Sequence, residues 1–200
     1  TRENTGGRYN PSTDSWTATS TTNAPTGRYF HTTVWTGSEM IVWGGYNTGG
    51  FYLNDGGKYN PSTDTCTSTS ITASTPGPRW LHTAVWSDTT SEMIVWGGLD
   101  VSTGSDLNDG GRYNPATNTW TKTTLTGAPT PREAQGVWSG KELLLWGGTN
   151  DSSGGRYNPS SDSWKTYLLS ASNLPTSIFL VISSRKSKNN CASAALFAPA

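Results

Sequence analysis

Three arginines stand at near-constant spacing in this 200-residue chain: Arg28, Arg79 and Arg132, 51 and 53 residues apart. A guanidinium is a planar fork of donors that grips a carboxylate or phosphate through two bonds at once. A second basic position also recurs. Gly-Gly-Arg/Lys-Tyr-Asn-Pro occurs four times, from Gly6, Gly56, Gly110 and Gly154, placing Arg8, Lys58, Arg112 and Arg156 behind a glycine pair. Such a pair suits an anion when it opens a helix whose N–H groups point at the ligand. Here each copy sits inside a predicted strand and runs into a Pro-containing turn, so the anion cradle lacks its structural context.

Other reactive side chains are sparse. The two histidines, His31 and His82, hold equivalent places in successive copies of one pattern, and Gln135 replaces them in the third. A histidine in repeat register reads as a strand hydrogen-bonding residue. The two cysteines, Cys66 and Cys191, have no metal-ligand spacing, and a disulfide framework needs more of them. Cys66 stands where the other copies carry Trp16, Trp120 and Trp164, so it reads as a small buried apolar substitute. Glu39, Glu92 and Glu142 recur in one turn and read as solvated. Asp100 to Asp106 (DVSTGSD) misses the alternation of oxygen ligands that a calcium loop needs. Arg132–Glu133 is the one Arg–acid pair that departs from the pattern. No Ser/His/Asp or Cys/His arrangement is discernible.

The rest of the composition describes the scaffold. Acidic and basic residues balance at 14 each, without the basic run expected of a nucleic-acid binder. Ten Trp and eight Tyr, set among Thr, Ser, Asn and Gly, suit a β protein whose main burial units are aromatic. The most apolar run, SIFLVIS at 177–183, is too short to span a bilayer as a helix. The chain opens inside a repeat with neither initiator Met nor signal peptide, which suggests a segment of a longer protein. Low charge, few cysteines and abundant Thr, Trp and Asn favour an extracytoplasmic or secreted setting.

Each repeat predicts four short strands. The first follows Arg-x-x-His and the second is the apolar run MIVW or LLLW, closed by a glycine pair. The third holds Tyr9, Tyr59, Tyr113 or Tyr157; an Asn-Pro turn follows, and the fourth begins at the Trp or Cys seven residues after the Tyr. A period near 50 residues signals units that cannot bury their faces alone.

These residues resemble the kelch repeat family: Arg79, His82, Gly97–Gly98, Tyr113, Pro115 and Trp120 stand in its order. The extra Gly pair before Arg/Lys-Tyr resembles a bacterial variant, within the galactose-oxidase-central-domain-like superfamily. The resemblance covers residues 5–168 and implies an all-β fold, a kelch-type β-propeller of four-stranded blades. The expected parts are the C-terminal half of a blade (1–22) and three blades (28–72, 79–126 and 132–168). Beyond 168 the pattern fails. Residues 169–200 read as a diverged tail, as the product of a shifted reading frame, or as strands beside the N-terminal pair that close a small ring. An open arc exposes sheet edges, so further blades or self-association are expected to cover them.

The connection between the two glycine pairs of a repeat varies, with ten, eleven and then five residues, whereas the Tyr-to-Trp gap does not. Variable loops on a constant scaffold are where binding resides. In a propeller these loops share a face with the links that end in Arg28, Arg79 and Arg132. The expected recognition face therefore joins those arginines and Glu133 to Tyr46, Asn47, Phe51, Tyr52, Asp100, Asp106, Asn150 and Asp151. Arg suits carboxylates, Tyr and Phe suit an apolar or sugar face, and in some kelch propellers channel-mouth arginines hold acidic peptides. A second task for a repeated arginine is to bond carbonyls of its own or the neighbouring blade.

The resemblance implies a non-catalytic scaffold that binds a protein or glycan, without cofactor, nucleic-acid or membrane partner. The alternative is part of a propeller enzyme, of the sialic-acid isomerase or mutarotase type with Arg132 and Glu133, or a copper-radical oxidase. The oxidase needs two His, two Tyr and a Cys joined to a Tyr, a context neither cysteine offers.

Overall fold

Thr, Val, Ile and aromatic residues fill short runs broken by Gly, Asn and Pro, and such runs form strands and tight turns. A computed structural model describes residues 3–167 apart from 48, 101, 134 and 149–152. Its described elements are all β. The expectations for residues 169–200, and for Asn150 and Asp151, lie outside the described residues.

The chain begins with a hairpin of β1 (Gly7–Asn10) and β2 (Ser15–Ala18). Next come β3 (Arg28–Tyr29), β4 (Thr32–Trp35), β5 (Met40–Trp43), β6 (Tyr46–Asn47), β7 (Gly56–Asn60) and β8 (Thr65–Ser68). Of these, β4-β5-β7-β8 form the first four-stranded antiparallel sheet, and β3 pairs with β6. The second sheet is built from β9 (Thr83–Ser87) and β10 (Glu92–Trp96), then, beyond the short pair β11 (Leu99–Asp100) and β12 (Ser105–Asp106), from β13 (Gly110–Asn114) and β14 (Thr119–Lys122). The third follows as β15 (Gln135–Trp138), β16 (Leu143–Trp146), β17 (Gly154–Asn158) and β18 (Ser163–Tyr167). Strand β9 packs against both β4 and β15, so the three sheets meet through their first strands.

Successive side chains of a strand face opposite ways, and the second sheet uses both faces. Ile41 and Trp43 of the first sheet meet Met93, Val95, Tyr113 and Trp120 of the second. Ile94 and Trp96 of the second meet Leu143, Leu145, Tyr157 and Trp164 of the third. Indole meets indole at a tilt across each gap, Trp43 against Trp120 at 5.3 Å and Trp96 against Trp164 at 5.2 Å. A fully buried aromatic side chain contributes on the order of 2–3 kcal/mol, so these two seams hold the sheets together.

Two glycine positions are set by close approach. A Cβ at Gly57, Gly111 or Gly155 would lie 2.6, 2.8 or 2.5 Å from Cγ of Pro25, Pro76 or Pro129 in the link that precedes its own sheet. The glycines after strand two, Gly45 and Gly98, have φ of +89° and +91°, and a Cβ there would meet the carbonyl oxygens of Tyr29 and Trp80.

Polar fasteners repeat between units. Arg8, Lys58 and Arg112 donate to the carbonyls of Pro61, Pro115 and Pro159 in the next unit's turn, at 2.6, 2.8 and 2.8 Å. The backbone N–H groups of Ser20, Ser70 and Thr124 donate to Asp64, Asn118 and Asp162 of the next turn. Each of those turn residues also accepts its own sheet's tyrosine hydroxyl. Trp120 and Trp164 donate Nε1–H to the carbonyls of Ser70 and Thr124. Cys66 has no such donor; it is buried with a free thiol whose pKa burial raises.

Candidate functional site

The repeated arginines turn inward. Arg79 and Arg132 are each 1% exposed. Nη1 of Arg79 reaches the carbonyls of Gly97 and Asp109 at 3.2 and 3.1 Å, and Nε donates to Gly77. Arg28 makes the same bonds to Gly44, Asp55 and Thr26, and Arg132 to Gly147, Ser153 and Thr130. The strand-two glycines bend the chain and leave these carbonyls facing the incoming link, where a buried acceptor needs a donor. Arg28 and Arg79 also pair with Asp55 and Asp109 at 2.9 Å, while those carboxylates stay 43% and 46% exposed.

The link itself pairs with the loop of the preceding sheet. Arg79 N–H donates to the Leu53 carbonyl and Gly45 N–H to the Arg79 carbonyl; Arg132 and Gly98 repeat this with Leu107. Loop and link are thus hydrogen-bonded to one another.

Across loop and link lies a closed circuit of aromatic rings. Tyr29 meets Phe30 at 4.6 Å, Phe30 meets Trp80 at 4.9 Å, and Trp80 meets Tyr52 at 5.9 Å; Tyr52 meets Tyr46 at 4.7 Å, and Tyr46 returns to Tyr29 at 5.1 Å. Phe30 is placed by a backbone kink with φ +55°, repeated at Leu81 with φ +54°. Positive φ costs a bulky side chain about 1–3 kcal/mol, so the kink is a fixed part of these two links. Burial raises the Tyr52 pKa, with the Tyr46 and Tyr29 hydroxyls adding to it, so the hydroxyl stays neutral at physiological pH.

Beside the circuit opens a cleft of about 430 Å³ between the loops of the first and second sheets. It brings together Phe51, Tyr52, Arg79 and Asp100 of the expected residues, with Leu107 and Asp109. Asn47 accepts the N–H groups of Gly49 and Phe51 at 3.0 Å and so fixes the loop that carries Phe51. Asp100 accepts Ser102 Oγ–H at 2.7 Å and Ser102 N–H at 2.9 Å, and these bonds lower its pKa. Arg28, Arg132, Glu133 and Asp106 do not line this cleft. The partners Tyr29, Phe30 and Trp80 escaped the sequence reading, although aromatic Tyr29 and Trp80 in one repeat position, against Glu133 in the third, carry the signal.

His82 is buried, its Nε2 within 2.7 Å of Thr32 Oγ1, while His31 is exposed. Burial first, then the Arg79 and His31 charges, push the His82 pKa down to about 3. Among the described residues no group of three or more His, Cys, Asp or Glu is placed to hold a metal ion.

Residues 2–180 match a family described as the KLHDC2/KLHL20/DRC7 Kelch-repeats domain. No curated protein matches the chain.

Proposed function

The chain belongs to the kelch-repeat domain family, and on that premise we propose that it is a non-catalytic scaffold that binds a protein or glycan through its loop face. In this reading the three four-stranded sheets are propeller blades, 28–72, 79–126 and 132–168, and β1–β2 is the outer half of another. The reading is supported above all by one observation: the variable loops present an aromatic-lined cleft, Phe51 67% exposed, on a rigidly bonded base. Exposed rings on a fixed scaffold gain contact area at small entropic cost. Further blades, or a second copy, would cover Trp35 and Met40, whose counterparts Trp86 and Met93 pack in the seam between sheets.

The test is a screen of the purified chain on immobilised peptides and oligosaccharides, repeated with Phe51→Ala and Tyr52→Ala. Binding that falls at least tenfold in both variants, with unchanged thermal unfolding, supports the reading. Binding that both variants retain places the recognition surface elsewhere and sinks it.

A further inference from the structure

Resting on that reading, we propose that the cleft takes a basic peptide side chain, Arg or Lys, held between the Phe51 and Tyr52 rings and the carboxylates of Asp100 and Asp109.

The argument is one of charge. Arg79 is the one cation in the cleft's lining. It is 1% exposed, and its charge is met by the Asp109 carboxylate at 2.9 Å and by three backbone carbonyls. The Asp109 side chain nonetheless remains 46% exposed, so the buried pair shows its negative end to the cleft. Asp100 adds a second carboxylate, which two hydrogen bonds from Ser102 keep ionised. The exposed ring of Phe51 and the ring of Tyr52 line the same cleft. An aromatic face carries negative electrostatic potential, as do the carboxylates, so all of them select a cation and repel an acid. A guanidinium suits both at once, stacking on a ring while its edge bonds an oxygen. The inward turn of Arg79 thereby reverses the sign expected of a channel-mouth arginine: its charge goes to the scaffold, and its counter-ion goes to the visitor.

The cleft's size sets the scale of the occupant. About 430 Å³ lies within the range of small-ligand sites and admits a long side chain with its flanking backbone.

The experiment uses the whole chain, isotope-labelled, with four pentapeptides, Gly-Ser-X-Ser-Gly, where X is Arg, Lys, Gln or Glu. Amide shifts are followed during titration. The expected result is saturable shifts in residues 49–53 and 100–109 with Arg and Lys, and at least fivefold weaker binding with Gln and Glu. Asp100→Asn keeps the Ser102 acceptor but removes the charge, and should weaken Arg binding at least threefold. Raising salt from 50 to 500 mM should do the same. Tighter binding of the Glu peptide, or equal binding of all four, overturns the proposal while leaving a binding face intact. An oligosaccharide that shifts the same amides with no loss in Asp100→Asn also overturns it. If no probe shifts these amides, this proposal fails, and the loop-face reading is decided by the screen with Phe51→Ala and Tyr52→Ala.

Discussion

The first and third copies of the Gly-Gly-Arg-Tyr-Asn-Pro segment fold alike and live differently. Tyr9 lies 5.2 Å from Trp16 at 41°, and Tyr113 lies 5.1 Å from Trp120 at 42°. Each tyrosine hydroxyl bonds the residue five places on, Asp14 or Asn118, and both of those sit at positive φ. Yet Tyr9 and Trp16 are 47% and 71% exposed, and Tyr113 and Trp120 are 0% and 5%. Local sequence therefore sets the hairpin's shape, and the preceding sheet supplies its burial. His31 and His82 repeat the lesson, one exposed and the other enclosed by the first sheet.

The largest expected effect separates the two copies outright. Trp120→Ala should cost about 3–5 kcal/mol in urea unfolding, since it empties a packed seam. Trp16→Ala should fall within about 0.5 kcal/mol. Equal losses would mean that the hairpin, rather than its neighbour, carries the energy.

Acid sharpens the contrast next. His82 has its folded pKa lowered to about 3, against about 6.5 for the unfolded chain. In that window the unfolded chain binds a proton that the folded chain refuses. The His82 contribution should be complete above about pH 6.5 and should fall by about 1.4 kcal/mol per pH unit as the medium is acidified toward pH 3. His82→Gln, which copies Gln135 of the third repeat, should flatten that part of the profile. An unchanged slope in the variant would assign the acid sensitivity to other groups.

The smallest effect concerns the turn's hydrogen bonds. Glycine accepts positive φ without strain, so Asn118→Gly and Asp14→Gly remove side-chain bonds alone. Asn118 accepts both Tyr113 and the Ser70 N–H. Asn118→Gly should cost about 2 kcal/mol and Asp14→Gly about 1 kcal/mol. A difference near zero would show that neither the Ser70 bond nor the burial of the Tyr113 hydroxyl adds anything net.

Much of this architecture is legible in the residues. The constant Tyr-to-Trp gap gives the hairpin, because an Asn-Pro turn between β-formers has one compact solution. The doubled glycines announce close approach, and the proline rings they accommodate sit where an added Cβ would collide. The arginines show where reading stops. Arg28, Arg79 and Arg132 carry the same fork whether it grips a ligand or a carbonyl, and only the bend at Gly44, Gly97 and Gly147 decides which oxygens it meets. The aromatic circuit is opaque for a related reason. Its five rings come from two links and one loop, and Phe30 enters through a kinked backbone that no propensity scale favours.

The turn residues Asp64, Asn118 and Asp162 also bear on how such a chain could lengthen. Each binds its own tyrosine on one side and the preceding unit's backbone on the other, so every unit carries both a plug and a socket. A tandem duplication of one 50-residue stretch would arrive with its fasteners already matched to both neighbours. No new contact would have to be invented at the join. Selection could then act on the loop alone, one copy at a time.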